Sequence, residues 1–395
     1  MERHPLMRIE QLRRKLSGFV AQDLPVFCLE RWQSLHENYA RILLSESGVE
    51  PLTLGELENM GINLSWLEDT SLGYGWTRGS DRLREALSGL YNGIVKPEGF
   101  TVANGSAEAN LATVLAVVKP GDTVALDMPN YMQIYGLLKW IGARVVEVWR
   151  KPSESWRLSL DDWVRVIEEE KPRAGFITDP NNPTGQYLAE KELGELLGTA
   201  EKKSVRMVFD EVYWGSEQEH HRPSAIELGG PEEVVMVSGL SKVYGLPGLR
   251  IGWAAASEAL SERIWSVKDY TSIAPCRLSD ELAWRILSNR SIVEDLWRRA
   301  RRIVSANLDT LLEALDSVPV KIHRPRAGAF VLMETRVEDT LTLSSNLYME
   351  HGILVNPGEC FKLPGYLRIG LGSSPGKFKD EVKELAKALS SLLQV

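Results

Sequence analysis

The chain has 395 residues, 44% of them hydrophobic and 25% charged, with a net charge of −8. That length supports two or three domains and a large core, while the acidic balance excludes nucleic acid as the main partner. No apolar run approaches the roughly 18 residues needed to span a membrane. Cys28, Cys276 and Cys360 lie far apart with no CxxC pair, which argues against a disulfide framework or a zinc site and for a reducing compartment. Residues 1–22 are rich in charge and lack the apolar stretch of a signal peptide, so the expected location is the cytoplasm.

Taken in chain order, residues 1–50 contain helix-like stretches and no sheet pattern, and read as an arm packed on a smaller domain. From about residue 100, short apolar runs alternate with longer amphipathic ones. Strands are expected at 123–126, 144–148, 174–178, 205–209, 234–237 and 249–255, with helices at 132–140, 160–170 and 190–201. This βαβ alternation predicts an α/β fold with a mostly parallel central sheet covered by helices. After about residue 275 the texture changes. A long charged helix at 291–315 leads to apolar segments at 318–323 and 328–333, a helix near 343–351, strands at 353–355 and 366–371, and a last helix from about 377. The expected division is an arm at 1–50, a large domain at 51–275 and a small α+β domain at 276–395.

Three compact signals carry the chemistry: Asp179-Pro180-Asn181-Asn182-Pro183-Thr184-Gly185, Phe209-Asp210-Glu211-Val212-Tyr213, and Ser241-Lys242-Val243-Tyr244-Gly245-Leu246-Pro247-Gly248-Leu249-Arg250. They supply an amine, a guanidinium, a carboxylate, an amide and a phenol. Such a set suits pyridoxal 5'-phosphate, whose aldehyde forms a Schiff base with an amine and whose ring becomes an electron sink when an acidic group pairs with its nitrogen. Tyr131, Asn182, Asp210 and Lys242 each follow an expected strand. In open α/β sheets the carboxyl edge of the strands is where ligands gather.

These motifs, together with Leu367-Arg368-Ile369-Gly370-Leu371-Gly372, resemble the class I/II aminotransferase superfamily of fold type I pyridoxal-phosphate enzymes, over about residues 70–375. The resemblance implies a role for each matching residue. Lys242 is then the Schiff-base lysine and the base at the substrate Cα, Asp210 the partner of the pyridine nitrogen, and Asn182 and Tyr213 the residues bonded to the phenolic oxygen. Tyr131 stacks on the ring. Gly105, Ser106 and Ala107 open a helix whose free amides seat the phosphate, with Arg250 and Ser241 contacting it as well. Gly239 stands where many relatives carry Ser or Thr, and Ser238 is the neighbouring hydroxyl that could replace it. Tyr74 reaches the phosphate of the other subunit, which implies a homodimer with shared sites. Arg368 grips the substrate α-carboxylate through its planar fork, near Asn182 and Gly48.

The implied activity is transfer of the amino group of an L-amino acid to a 2-oxo acid. The alternative is a lyase, cyclase or replacement reaction on the same scaffold, since Ser47-Gly48-Val49 with Leu54-Gly55-Glu56-Leu57 resembles the capreomycidine-synthase-like branch. A regulatory domain fused to a DNA-binding module fits poorly with an acidic chain that has no separate winged-helix stretch. Gly73, Gly75 and Gly79 do not have dinucleotide-binding spacing. His220 and His221, flanked by Glu217 and Glu219, read as a polar loop rather than a metal site. A second cation for a dicarboxylate substrate has three candidates, Arg31, Arg78 and Arg277, with no motif to choose among them.

Overall fold

The computed structural model describes residues 9–20, 23–219 and 221–393. After β1 (Ile42–Leu43), seven strands make the central sheet: β2 (Phe100–Asn104), β3 (Thr123–Met128), β4 (Arg144–Trp149), β5 (Ala174–Thr178), β6 (Arg206–Asp210), β7 (Val234–Gly239) and β8 (Ile251–Ala255). Their order is β2-β8-β7-β6-β5-β3-β4. Pairing is parallel from β4 through β7, and β8 runs antiparallel to both of its neighbours.

Both faces of this sheet are covered, and the two-residue period of a strand sorts its side chains between them. Met207 and Phe209 enter one apolar core, together with Met236 and Trp253. Val208, between them, enters the other with Phe176, Val235 and the helices Ser106–Val117 and Gln133–Ile141. The Ser106–Val117 helix is buried on several sides, so its sequence is apolar with little amphipathic pattern.

Two details differ from the sequence expectation. β2 was not anticipated; it is a short buried strand lying directly before Gly105. The strand expected at 249–255 starts at Ile251, because Pro247–Leu249 forms a 3-10 turn and Arg250 takes a left-handed φ of 50°.

A second, antiparallel sheet contains β9 (Lys321–His323), β10 (Phe330–Glu334), β12 (Asn356–Pro357) and β13 (Tyr366–Gly370), in the order β12-β13-β10-β9. The 25-residue helix Arg290–Ala314 is capped by the Asn289 side chain and packs against the closing helix Pro375–Leu392. The N-terminal segment is tied to this part of the chain. β1 pairs in parallel with β11 (Ile353–Leu354), and Trp32 Nε1 donates to the Val355 carbonyl at 2.8 Å.

The cysteine reading is corrected here. Cys28 and Cys360 form a disulfide across a sequence separation of 332, while Cys276 stays a free, exposed thiol. The Cys28–His36 helix lies over the Gly358–Phe361 turn and brings the two together. Spacing along the chain carries no trace of a contact between such distant residues. No helix among the described residues is long and apolar enough to cross a membrane.

Candidate active site

The carboxyl edge of the central sheet collects most of the residues singled out by sequence. Asp210 is the last residue of β6 and is buried. Asn110 Nδ2 donates to its Oδ2 at 2.8 Å and the Val212 amide to its Oδ1 at 3.2 Å. Burial raises the Asp210 carboxyl above its usual range; the two hydrogen bonds and the charge of Lys242 oppose that. Asn110 was not anticipated. Its signal was available, since Asn110 is one turn beyond Ser106 and is a buried amide in a mostly apolar helix.

Asn182 lies in the loop after β5 and bridges two parts of the site. Its Nδ2 is 3.4 Å from the Tyr213 hydroxyl, and its Oδ1 accepts from Arg368 Nη1 at 2.9 Å. The Tyr213 hydroxyl donates to Ser47 Oγ at 3.0 Å. A buried network holds this loop in place. Asn181 Nδ2 bonds Asp127 Oδ2 and the Pro129 carbonyl, and Asp127 is clasped by Arg150. Arg222 ties Asp179 to Glu211, so Glu211 of the Asp-Glu-Val-Tyr motif is structural. Burial pushes the Glu211 carboxyl up to about 7, against the pull of Arg222.

Gly105 has a φ of 82° and caps the Ser106–Val117 helix without a side chain. A Cβ there would lie 2.5 Å from Arg250 Nη2, and one at Gly252 would lie 2.3 Å from the Ser106 amide nitrogen. A bare helix start beside a guanidinium is thus built into the backbone, which suits a phosphate. Gly239 is close by: a Cβ on it would be 3.6 Å from the Ser106 nitrogen. Ser238 does not replace a hydroxyl at that point, because its Oγ donates to the Glu211 carbonyl at 3.1 Å. The Ala107 carbonyl accepts from Gln133 Nε2. Ser241 and Lys242 are half-buried in the loop after β7. Gly48 passes close over them; a Cβ on it would be 3.0 Å from the Ser241 carbonyl and 3.4 Å from Lys242 Cα.

Arg368, on β13, is 1% exposed. Besides Asn182 it donates from Nη2 to the Ser45 carbonyl at 2.6 Å, while Nε has no hydrogen-bond partner among the described residues. Phe330 and Phe361 flank the guanidinium at 5.6 and 5.3 Å. Tyr131 stands after β3, edge-on to Phe27, with its hydroxyl donating to Glu30 Oε1 at 2.6 Å. Tyr131, Lys242 and Arg368 line one cavity of about 110 Å³, joined there by Ser47 and by Glu30, Glu37 and Glu46 from the N-terminal segment. The carboxylates were not anticipated as site residues.

Tyr74 stands apart from this cluster. It is 89% exposed in a groove it shares with Trp76 and Arg277. Of the histidine pair, His220 lies outside the described residues; His221 Nδ1 is 3.3 Å from Glu217 Oε2. No group of three or more metal-ligating side chains gathers among the described residues.

The donor set fits pyridoxal phosphate. It offers a bare phosphate seat with Arg250, a buried carboxylate opposite Lys242, an amide–phenol pair, and a guanidinium with an unused edge. Comparison with known proteins agrees. Residues 67–389 match the family model described as aminotransferase class I and II. The chain is 29% identical over 321 residues to an aspartate/prephenate aminotransferase of Thermus thermophilus, covering 79% of this chain and 82% of that one. It is 28% identical over 362 residues to capreomycidine synthase of Streptomyces vinaceus, covering 89% and 91%. Among solved structures, a PLP-dependent aminotransferase from Streptococcus suis superposes with a TM-score of 0.86 at 31% identity, over 94% of this chain and 99% of that one.

Proposed function

The chain belongs to the class I and II aminotransferase family, and from that premise we propose how its own residues bind and turn over substrate. It is a pyridoxal-phosphate-dependent aminotransferase, moving the amino group of an L-amino acid to a 2-oxo acid by a ping-pong mechanism. When bound, the cofactor supplies an aldehyde that takes up the amino group and a protonated ring that withdraws the electrons left at the substrate Cα.

Gly105, Ser106 and Ala107 would hold its phosphate with Arg250 and Ser241. Asp210 would hold the proton on the ring nitrogen. Asn182 and Tyr213 would bond its phenolic oxygen, and Tyr131 would cover its ring. Arg368 has five N–H donors, and those not used by Asn182 and Ser45 are free to clamp the substrate α-carboxylate. That clamp, with Gly48 closing one side, leaves Cα facing Lys242 Nζ, which takes and returns its proton.

The observation that carries this reading is the shared cavity of Lys242 and Arg368, with Lys242 close enough for its charge to act on the buried Asp210 carboxyl. The test is chemical. Holoenzyme treated with borohydride and digested should carry its pyridoxyl group on the Lys242 peptide. A different lysine, or none, sinks the assignment.

The proposal includes a homodimer. Leu72, Tyr74 and Trp76 are large apolar side chains left 83%, 89% and 63% exposed. Such a patch suits burial against a second copy, with Tyr74 delivered to the neighbouring phosphate. A monomer in sedimentation at assay concentration contradicts it. A cytoplasmic location belongs to the same proposal; cell fractionation that recovers the protein outside the cytoplasm speaks against it. The second reading, a lyase or cyclase, draws support from the long match to capreomycidine synthase. Turnover of an amino acid without consumption of any 2-oxo acid would favour it.

A further inference from the structure

We propose that the amino donor carries a positively charged side chain, held by Glu30, Glu37 and Glu46. The inference rests on the reading of Arg368 as anchor of the α-carboxylate. The cavity is small, about 110 Å³, and its charges are divided. Lys242 and the buried Arg368, with its unpartnered Nε, mark the end that receives the common part of every amino acid. The remaining charged lining is entirely acidic: Glu30 from the Cys28–His36 helix, Glu37 from the turn after it, and Glu46 from the segment after β1.

None of the three forms an ion pair among the described residues. Glu37 feels the other two. Burial raises the Glu37 carboxyl, and the charges of Glu46 and then Glu30 raise it further. Glu30 is fixed in place by the Tyr131 hydroxyl at 2.6 Å. A cationic group brought among them relieves this repulsion; a distal carboxylate adds to it.

The cations considered for a dicarboxylate stand elsewhere in the same subunit. Arg78 donates from Nε to the Phe100 carbonyl at 3.2 Å. Arg277 lines the groove of Tyr74, and Arg31 is exposed on the Cys28–His36 helix; within one subunit none of the three lines the cavity.

Two measurements on the holoenzyme test the proposal. The first is calorimetric binding of δ-aminovalerate and glutarate, which share one carbon-chain length and differ in distal charge. Neither has an α-amino group to transfer, and titrating holoenzyme already reduced with borohydride, whose cofactor can no longer take up an amine, keeps the result independent of turnover and of imine formation. δ-Aminovalerate should bind roughly 10- to 100-fold more tightly, the range of one or two charge-assisted contacts. Glu37→Gln should erase much of that margin, and Glu46→Lys should reverse its direction. Equal binding, or tighter glutarate, in the wild-type protein overturns the proposal without any variant. The second is a donor panel read by consumption of 2-oxo acid, with lysine, ornithine and arginine expected to exceed aspartate and glutamate. Better turnover of the dicarboxylates overturns the inference and leaves the aminotransferase reading intact. No turnover with any donor, alongside preferential δ-aminovalerate binding, counts against transamination and supports the cationic pocket.

Discussion

Asp210 has a donor on each oxygen, Asn110 on Oδ2 and the Val212 amide on Oδ1. A carboxylate satisfies both; an amide of the same shape can accept from only one and turns an N–H₂ toward the other donor. Asp210→Asn should therefore keep the fold and retain cofactor, while kcat falls on the order of 100-fold or more, as when a preorganised charge is removed from a site. Near-native turnover would exclude Asp210 as the partner of the ring nitrogen. Lys242, Asp210, Asn182 and Arg368 were all legible because each sits in a short motif whose residue types and order are specific. Glu30, Glu37 and Glu46 were not. Each is a common residue in an ordinary helix or loop, and only the folded chain shows what it faces.

At the level of elements, alternation and length gave the parallel strands, and the helices expected at 132–140, 160–170 and 190–201, within a residue or two, while the helices Asp81–Leu90, Glu258–Lys268 and Arg277–Leu287 were not anticipated. Both signals failed where neighbours decide the outcome. β8 is as apolar as β7, and nothing in its composition tells that it runs the other way between β2 and β7. A polar exception inside one element has measurable effects. Lys268 ends the helix Glu258–Lys268, is fully buried, and donates to the Thr77 carbonyl. Burial lowers its amine from 10.5 to about 8. Between those values the unfolded chain binds more protons than the folded one, so this residue's contribution to stability rises with pH from about 8 to 10.5 and is weakest below 8. Lys268→Met removes that dependence. The stability of wild type relative to the variant, from denaturant titrations at pH 7 and pH 10, should shift in favour of wild type by up to about 3 kcal/mol. A difference that does not change with pH means the amine is not perturbed in solution.

The whole molecule divides its labour unevenly along the sequence. The match to the family begins at residue 67, and the motifs implicated in cofactor binding lie within it. The carboxylates of the substrate cavity come from positions 30, 37 and 46, ahead of that match. On the proposed reading, specificity is written ahead of the family match, in residues that form no motif, which is why the sequence pointed to the reaction and not to the donor.

The bond between Cys28 and Cys360 gives the polypeptide a further property. Its backbone from one sulfur to the other is a closed covalent ring spanning a sequence separation of 332. A single protease cut anywhere within the ring opens it without releasing a piece. Nicked protein should run as one band on a denaturing gel without reductant and as two bands with it. Two bands in the absence of reductant would mean that the ring is not closed in solution.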